Sequence, residues 1–439
     1  MTIDYHDLTA IADTLKLVYG KGITNQFKDE TLTYHQFPKS ERQPKGLGYE
    51  FSIRYARAQG TGARGESQKL PDPLVGKYDK GRISPKYIYG VIRMTGPMIE
   101  AAKGDMAAFV DGLADAVDDI YQSMIVDLNR QTWGDGFGLI GTLSAASDTL
   151  TTSATTWTVT CDNDRGVMYA QEGMLVDFFD STAVDQSSVA SRISSINPST
   201  KAMEMEFNDG TYKTNHPNST FAGYTIVAEA VPTGAYMVKM GTRAASHATT
   251  NDSYEICGLD GIYDDGTLIA TFENIVVDTY PKWKANVLGN SSVNRELTVE
   301  LMLQACDLTR AASGMRANII RCGLGQRRKY ANLLMPDVRF APTKLRGGYE
   351  TLTFAAGDGS VEIVIDPVAQ PNKMYFEPRG VIQKYEMAAI GWGNLDQQMH
   401  WRSGYDEWDQ FLRLYSQLGC EQRNCLTLVK DLVEPNLWS

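Results

Sequence analysis

The chain is poor in the residues that metal and disulfide chemistry require. Its 439 residues include six cysteines and five histidines, and they form neither a C-x-x-C pair nor an H-E-x-x-H segment. Zinc sites need such ligands at short spacing. The sequence therefore predicts no metal site, and it predicts that the scattered cysteines are free thiols, buried or half-buried, as expected in a reducing compartment.

Long apolar runs and an excess of basic charge are also missing. No stretch approaches the roughly 18 apolar residues of a membrane span, and the N-terminus lacks the basic and apolar regions of a signal peptide. The formal net charge is -11, whereas gripping nucleic acid requires a dense basic surface. We therefore expect neither a membrane protein nor a dedicated nucleic-acid-binding protein, and we expect the chain to stay in the cytoplasm.

Signatures of catalysis and of cofactor binding are absent as well. The sequence has no G-x-S-x-G elbow and no Walker loop. Residues 136–141 match G-x-G-x-x-G, but a predicted helix precedes them and a β segment follows, the reverse of the dinucleotide motif. Asp111, Asp115 and Asp118 share a helical face that would suit a cation, and the basic run 327–329 would suit a phosphate. A solvated face is the favoured interpretation of the aspartates, and a solvated or subunit-contacting face is that of the basic run. No cofactor is predicted.

A long polar excursion stands out near the N-terminus. Tyr49, Phe51, Ile53 and Tyr55 alternate with polar residues, which predicts a strand, and a second apolar run returns at 87–92. The intervening residues 56–73 are too small, polar and rich in Gly and Pro to bury a core. Compact domains seldom carry so long a loop unless it is functional or disordered. The pattern predicts a hairpin with apolar arms and a charged tip that docks on another subunit.

The residues assigned to this inter-subunit contact are basic side chains of the excursion, and they outnumber its acidic ones. They are Arg57, Arg64, Lys69, Lys77, Lys80 and Arg82.

A long helix is predicted directly after the excursion. Pro97 suits a first helical turn, and after a break near Gly104 a second helix is expected over 106–133. At about 1.5 Å per residue this helix would span roughly 40 Å, the width of a domain. Its apolar residues recur at spacings of three and four and form a predicted core stripe: Phe109, Leu113, Val117, Ile120, Met124 and Leu128.

The remaining sequence predicts further elements and an α+β protein with two or three cores. Thr/Ser-rich β segments separated by turn signals fill 143–290 and indicate an inserted antiparallel barrel or sandwich. A helix is expected from Leu297 to Gly314, then a strand at 317–320, a helix at 326–334 and a strand at 361–366. Two apolar runs around Gly419 predict a closing hairpin.

Taken in this order, the elements resemble a major capsid protein of a tailed bacteriophage, with the HK97-like fold. The 49–94 excursion resembles the extended loop (E-loop) of that fold, and the 106–133 helix resembles its spine helix. The glycine-rich 133–141 segment is typical of such coats. The run Tyr280-Pro-Lys-Trp283 is similar to the entry into their axial domain.

The resemblance implies an α+β HK97-like capsid fold with an inserted β-rich domain. It assigns 1–45 to an N-terminal arm, 46–95 to the extended loop and 96–142 to the spine helix of the peripheral domain. It assigns 143–290 to the insertion domain, 291–379 to the axial domain and 380–439 to the return strands of the peripheral domain.

The implied function is structural rather than enzymatic. The resemblance implies a subunit that self-assembles through hexamers and pentamers into an icosahedral phage head around double-stranded DNA. A virion protein assembled in the host cytoplasm is therefore expected. Its implied partners are further copies, a portal, decoration proteins, and a separate scaffolding protein, since only 1–45 precede the excursion. Only weak, non-specific contact with the packaged DNA and no membrane partner are expected.

Some relatives of this kind cross-link a loop lysine to a neighbour's asparagine. Lys69, Lys77 and Lys80 have the right location, but no asparagine can be assigned and cross-linking is not predicted. Two alternatives stay open: an encapsulin-type compartment shell, and a soluble α+β enzyme with a carbohydrate-binding β domain.

Overall fold

A computed structural model gives the structure of the chain. It describes residues 32–97, 112–144, 156–179, 191–207, 220–221, 224–225, 234–242, 254–334, 353–357, 359–393, 400–401 and 404–435. The chain forms two compact units. The smaller one contains the described residues of 89–126 and 391–413, and the larger one contains the others.

The elements are short, and strands outnumber helices among the described residues. The helices are α1 (Leu32–Gln36), α2 (Gly112–Trp133), α3 (Asp164–Tyr169), α4 (Leu259–Ile262), α5 (Val299–Ser313) and α6 (Leu324–Leu334). The first strands are β1 (Tyr49–Ala56), β2 (Lys77–Ile83), β3 (Lys86–Thr95), β4 (Leu139–Thr142), β5 (Thr156–Thr160), β6 (Leu175–Phe179), β7 (Ser191–Asn197), β8 (Ala202–Phe207), β9 (Thr220–Phe221), β10 (Tyr224–Thr225) and β11 (Tyr236–Lys239). The later ones are β12 (Thr271–Phe272), β13 (Ile275–Val276), β14 (Asn286–Leu288), β15 (Ile319–Cys322), β16 (Thr353–Ala355), β17 (Ser360–Ile365), β18 (Met374–Glu377), β19 (Gln383–Trp392), β20 (His400–Trp401), β21 (Glu407–Gly419) and β22 (Thr427–Val429). No helix in the described part of the chain has both the length and the apolar character of a membrane span.

A six-stranded mixed sheet and helix α5 form the core of the larger unit. The strand order is β14-β22-β18-β15-β17-β16, and Met302, Ile320 and Phe376 are buried in its apolar cluster. The Thr298 hydroxyl caps α5 by accepting from the Leu301 backbone N–H at 3.2 Å. Gly314 ends the helix with a φ of 78°, a conformation that glycine adopts without steric cost. The predicted helix between Leu297 and Gly314 is therefore confirmed.

The β-rich segment contains a second six-stranded sheet, with the order β4-β11-β6-β7-β8-β5. The strand pairings of this sheet are all antiparallel, as predicted. Apolar side chains such as Trp157, Phe178 and Met205 are buried on it. The sheet begins before residue 143, since β4 continues directly from the glycine-rich segment. It does not include β14, which lies in the other sheet.

The smaller unit contains most of helix α2 together with parts of β3 and β21. Strand β3 alternates strictly, with Gly90, Ile92 and Met94 buried and Val91 exposed. A Cβ on Gly90 would lie 3.1 Å from Cγ1 of Ile120, so the strand packs closely on α2. Strand β21 pairs with β3, β19 and β20. The described part of the long predicted helix, Gly112–Trp133, is thus helical, and β3 packs against it at Ile120.

Two predicted strand pairings are wrong. Strand β1 does not pair with the 87–92 run; its antiparallel partner is β2, with Tyr49 opposite Ile83. The apolar run forms β3 in a different sheet. The closing hairpin around Gly419 is wrong too, because β21 and β22 lie in separate sheets. Strands at both places are confirmed, but apolar alternation specifies a buried face and not a partner.

The buried carboxylate of Asp366 joins the residues after β17 to α1 and α2. Its Oδ2 accepts from the Thr33 hydroxyl and from Trp133 Nε1 at 3.1 Å. Its Oδ1 accepts from the Val368 backbone N–H at 2.8 Å. Because several donors share one buried carboxylate, this contact fixes the described part of the N-terminal segment against the end of the long helix.

All six cysteines are free and buried, as predicted. Burial raises the pKa of Cys257, Cys322 and Cys425, in the last two to about 12. Thiols held in this way stay protonated and unreactive near neutral pH.

Candidate functional site: the projecting hairpin

The β1–β2 hairpin has one buried face and one exposed face. Phe51, Ile53 and Ile83 are buried, whereas Glu50, Ser52 and Arg54 between them are exposed. Gly81 lies opposite Phe51 in the register, and the missing side chain leaves room for the Phe51 ring and for Ile275. The alternation predicted for 49–55 is confirmed, and it fixes which face of the hairpin packs on the protein.

Residues 271–280 hold the base of this hairpin. The Arg82 backbone N–H donates to the Glu273 carbonyl at 2.7 Å. The rings of Tyr55 and Tyr280 lie 4.7 Å apart, centroid to centroid. Asp79 accepts from the Tyr280 hydroxyl, which lowers the pKa of Asp79 and raises the pKa of Tyr280 to about 12. These contacts orient the base of the hairpin. Along the two strands they reach Tyr55 in β1 and Asp79 in β2.

Beyond these contacts, residues 57–76 form the tip, a loop without helix or strand. Three apolar side chains of the tip are largely exposed: Leu70 at 78%, Leu74 at 57% and Val75 at 84%. Single exposed apolar residues are ordinary on a protein surface. Three within six residues of one loop make this loop a candidate contact surface.

The six basic residues predicted for inter-subunit contact are distributed over the tip and β2. Arg57, Arg64 and Lys69 lie in the tip and are exposed, as are Lys77 and Lys80 in β2. Lys69 pairs with Asp72 at 2.8 Å, and both side chains remain mostly exposed. Such a surface pair is weakly held and can be exchanged for a partner's charge. Their contact with another subunit stays a prediction.

Arg82 differs from the other five because its guanidinium bridges the two strands of the hairpin. Its Nη2 donates to Oε1 of Glu50 at 2.7 Å, and its Nε donates to the same oxygen at 3.2 Å. Glu50 and Arg82 are directly opposite in the register, and the pairing lowers the pKa of Glu50. Arg82 therefore stabilises the pairing of β1 with β2. A contact between Arg82 and a neighbouring subunit would have to replace its ion pair with Glu50.

The predicted core stripe of the long helix is partly buried in the described residues. Met124 and Leu128 are buried at 5% and 2% exposure, and Val117 and Ile120 are half-buried. Leu113 lies in helix α2, but the surroundings of its side chain are not described. Phe109 lies outside the described residues. The helix itself ends at Trp133, as the sequence predicts.

The described residues of the acidic run form no metal-ligand set, and the basic run lies on the surface of α6. Asp118 is exposed on α2, whereas Asp111 lies outside the described residues. Arg327 and Arg328 are exposed on α6, and Lys329 pairs with Glu296 at 2.7 Å. Within the described ranges no three His, Cys, Asp or Glu residues are placed to hold a metal ion.

Sequence reasoning missed two features of the site. The exposed Leu70, Leu74 and Val75 are apolar residues in a Gly/Pro-rich stretch, whereas the sequence prediction assigns the binding role to the basic residues. The second feature is Glu273, whose carbonyl receives the hairpin. Nothing in its local sequence marks it, because its partners lie far away along the chain.

Comparison with known proteins gives matches among solved structures. No family model matches the chain, and no curated protein matches it. Among solved structures, the chain is similar to the cyanophage A-1(L) capsid asymmetric unit, with a TM-score of 0.55 and 13% identity over 96% of this chain and 98% of that one. It has the HK97-like capsid fold.

A second solved structure has the same fold. The capsid of an empty GTA particle gives a TM-score of 0.51 and 7% identity, over 98% of this chain and all of that chain. The encapsulin SrpI of Synechococcus elongatus PCC 7942 gives a lower TM-score of 0.42, with 5% identity over 98% of this chain and 96% of that one. The likeness in fold to the two capsid structures confirms the predicted fold class.

Proposed function

We propose that this chain is a structural subunit that self-assembles into an icosahedral phage head around double-stranded DNA. The observation that carries the proposal is the likeness in fold to a cyanophage capsid protein over 96% of the chain. Because one fold can serve many functions, the proposal also needs a site. The anchored hairpin with its exposed apolar tip is that site.

The physics of a closed shell explains such a hairpin. In a shell, each subunit must contact several identical neighbours. It does so through different parts of its own surface. Leu70, Leu74 and Val75 lose contact with water only when another chain covers them, so they contribute to association and not to folding. In the proposal, this tip and its basic residues contact a neighbouring copy.

The proposed subunit has the domain organisation implied by the sequence. Residues 1–45 serve as the N-terminal arm, 46–95 as the extended loop and 96–142 as the spine helix of the peripheral domain. Residues 143–290 form the insertion domain, 291–379 the axial domain and 380–439 the return strands. The two six-stranded sheets lie mainly within the insertion and axial ranges, which supports this division.

The proposed partners are further copies in hexamers and pentamers, a separate scaffolding protein, a portal and decoration proteins. The site of action is the virion, after assembly in the host cytoplasm. A net charge of -11 supports only weak, non-specific contact with packaged DNA. The proposed role requires no catalysis.

Expression of the chain alone, and then with a candidate scaffolding protein, tests the proposal. Negative-stain microscopy and light scattering should show closed shells, or rings of five or six subunits. A monodisperse monomer or dimer under both conditions would overturn the proposal. That result would favour the alternative of a soluble enzyme with a carbohydrate-binding β domain.

A deletion tests the role of the tip separately. Ala56 lies opposite Lys77 in the register, so residues 57–76 can be replaced by Asn-Gly, the turn that suits a tight hairpin. We expect a folded protein that no longer forms closed particles. Closed particles of normal yield from this variant would remove the role assigned to the tip.

A further inference from the structure

A small cavity lies where the C-terminal segment meets the start of helix α6, within the larger unit. Its volume is about 10 Å³, which gives room for a single water-sized ligand. Two acidic side chains line it, Asp164 of α3 and Glu434. The other described lining residues are apolar or glycine, so none of them is cationic. Two carboxylates therefore face one small space without a positive charge in its wall.

Glu434 is held in place against the first turn of α6. Its Oε2 accepts from Nε2 of Gln326 at 2.5 Å and from the Asn372 backbone N–H at 3.2 Å. A Cβ at Gly325 would overlap Oε1 of Glu434 and would lie 3.0 Å from Cδ of Pro435. The carboxylate can approach α6 so closely only because residue 325 has no side chain. The fold therefore determines the position of this acid.

Asp164 faces the same cavity from α3. Its side chain is only 6% exposed, and its Oδ1 is buried without a hydrogen-bond partner among the described residues. Nζ of Lys201 lies 3.1 Å from this oxygen, but outside hydrogen-bond geometry, and Lys201 does not line the cavity. Buried carboxylate oxygens normally have a donor or a metal ion as partner. A further ligand is therefore expected at this carboxylate.

Acceptor oxygens exceed donors around the cavity. Oε1 of Gln326 and Oδ1 of Asn372 are also buried without a partner in the described part of the chain. Burial raises the pKa of Glu434, and the charge of Asp164 adds to the rise, while the hydrogen bonds of Glu434 and the charge of Arg328 act in the opposite direction. The two carboxylates thus repel each other, and a cation between them would replace this repulsion by attraction.

We propose that Asp164 and Glu434 together bind one Ca²⁺ ion. Ca²⁺ takes carboxylate, amide and water oxygens in irregular geometry, whereas Mg²⁺ demands a near-ideal octahedron and Zn²⁺ favours nitrogen and sulfur ligands. With two acids instead of three, amide or water oxygens must complete the ligand set. The ion would tie the C-terminal segment to α3 and to α6. The inference concerns one subunit, and it does not depend on shell assembly.

Thermal unfolding of the full chain tests the site. The chain is freed of metal with EDTA, dialysed, and unfolded with and without CaCl₂ at constant ionic strength. A site with two carboxylates should have a dissociation constant on the order of 10⁻⁴–10⁻³ M, as weak Ca²⁺ sites have. At about 10 mM Ca²⁺ the unfolding temperature should then rise by about 2–4 °C. No rise in the wild type would overturn the proposal.

Three variants separate this site from general binding of Ca²⁺ to an acidic protein. Asp164→Asn and Glu434→Gln each keep the size of the side chain and remove one ligand charge, so the rise should disappear in both. Glu172→Gln removes an exposed acid from the same β-rich segment, so the full rise should remain. A full rise in either site variant would contradict the proposal, as would its loss in Glu172→Gln.

Gly325→Ala provides an independent test if the charge variants do not fold. Both acids remain, but the added methyl overlaps Oε1 of Glu434 and displaces it. The readout is hydrogen exchange of peptides covering residues 430–435, which about 10 mM Ca²⁺ should slow about tenfold in the wild type. Gly325→Ala should show no such slowing, and peptides covering β15 should be unaffected in both proteins. Slowing of wild-type size in Gly325→Ala would refute the assigned ligands, whether or not the chain forms shells.

Discussion

Replacement of the three exposed apolar residues of the tip should weaken assembly without weakening the fold. In the triple variant Leu70→Ser, Leu74→Ser, Val75→Ser, the side chains removed are 78%, 57% and 84% exposed. Complete burial of a Leu or Val side chain contributes about 1.5–3 kcal/mol. The exposed fractions therefore leave roughly 1–2 kcal/mol per residue to be gained on docking.

Ordering the loop on docking offsets part of this gain. A net loss of about 3 kcal/mol per docked tip is then expected, which corresponds to roughly a hundredfold weaker association. The critical concentration for particle formation, measured by light scattering and sedimentation velocity, should rise accordingly. The unfolding temperature should stay within about one degree of the wild-type value, because substitutions at exposed positions change stability little.

Leu47→Ser is the matched control. Leu47 is 80% exposed but lies before β1, outside the tip, so its replacement should leave the critical concentration unchanged. If the triple variant assembles at the wild-type concentration, the reasoning about the tip is refuted. Equal impairment by Leu47→Ser would show a general effect of surface polarity instead.

Three further predictions concern the fold that supports the tip. Asp366→Ala strands the buried donors of Trp133 and Val368, so the free energy of unfolding should fall by about 3 kcal/mol or more in denaturant titration, whereas Asp118→Ala, at an exposed site, should change it little. Gly81→Ala drives a methyl into the Phe51 ring and to 3.0 Å from Ile275; it should cost about 1–3 kcal/mol and reduce particle yield, while Gly323→Ala, outside the hairpin and with an ordinary Cβ contact at 3.6 Å, should do neither. The pKa of Glu273 is raised in the folded state, to about 8, so its contribution to stability is complete below pH 4.5 and is lost as the pH rises to about 8. Glu273→Gln should therefore gain about 4 kcal/mol relative to wild type between about pH 5 and pH 9 in thermal or urea unfolding, and a difference that does not change with pH would contradict the raised pKa of Glu273.

Local signals in the sequence were enough for several elements. Helix α2 follows from its apolar spacing, and α5 follows from its spacing together with Thr298 and Gly314 at its ends. The buried face of β1 follows from alternation. In each case the determining interactions lie within a few residues, so a local pattern contains them.

Strand β2 could not be found in this way. Its sequence, KYDKGRI, is mostly polar, and its inward positions are Gly81 and Ile83. The more apolar 87–92 run therefore took its place in the prediction. What selects β2 is the fit of the Phe51 ring over Gly81, next to Ile275, and that fit exists only after the chain has folded.

The sequence by itself determined the α+β composition, the long helix, the apolar face of the first hairpin strand and the polar, Gly/Pro-rich tip. These depend on periodicity and on backbone preferences, which act over short distances. Only the tertiary structure decided which strands pair, which apolar side chains of the tip stay exposed, and that Glu273 lies between Arg82, Cys420 and Arg423. Those outcomes depend on contacts between residues far apart along the chain, for which a single sequence has no local signal.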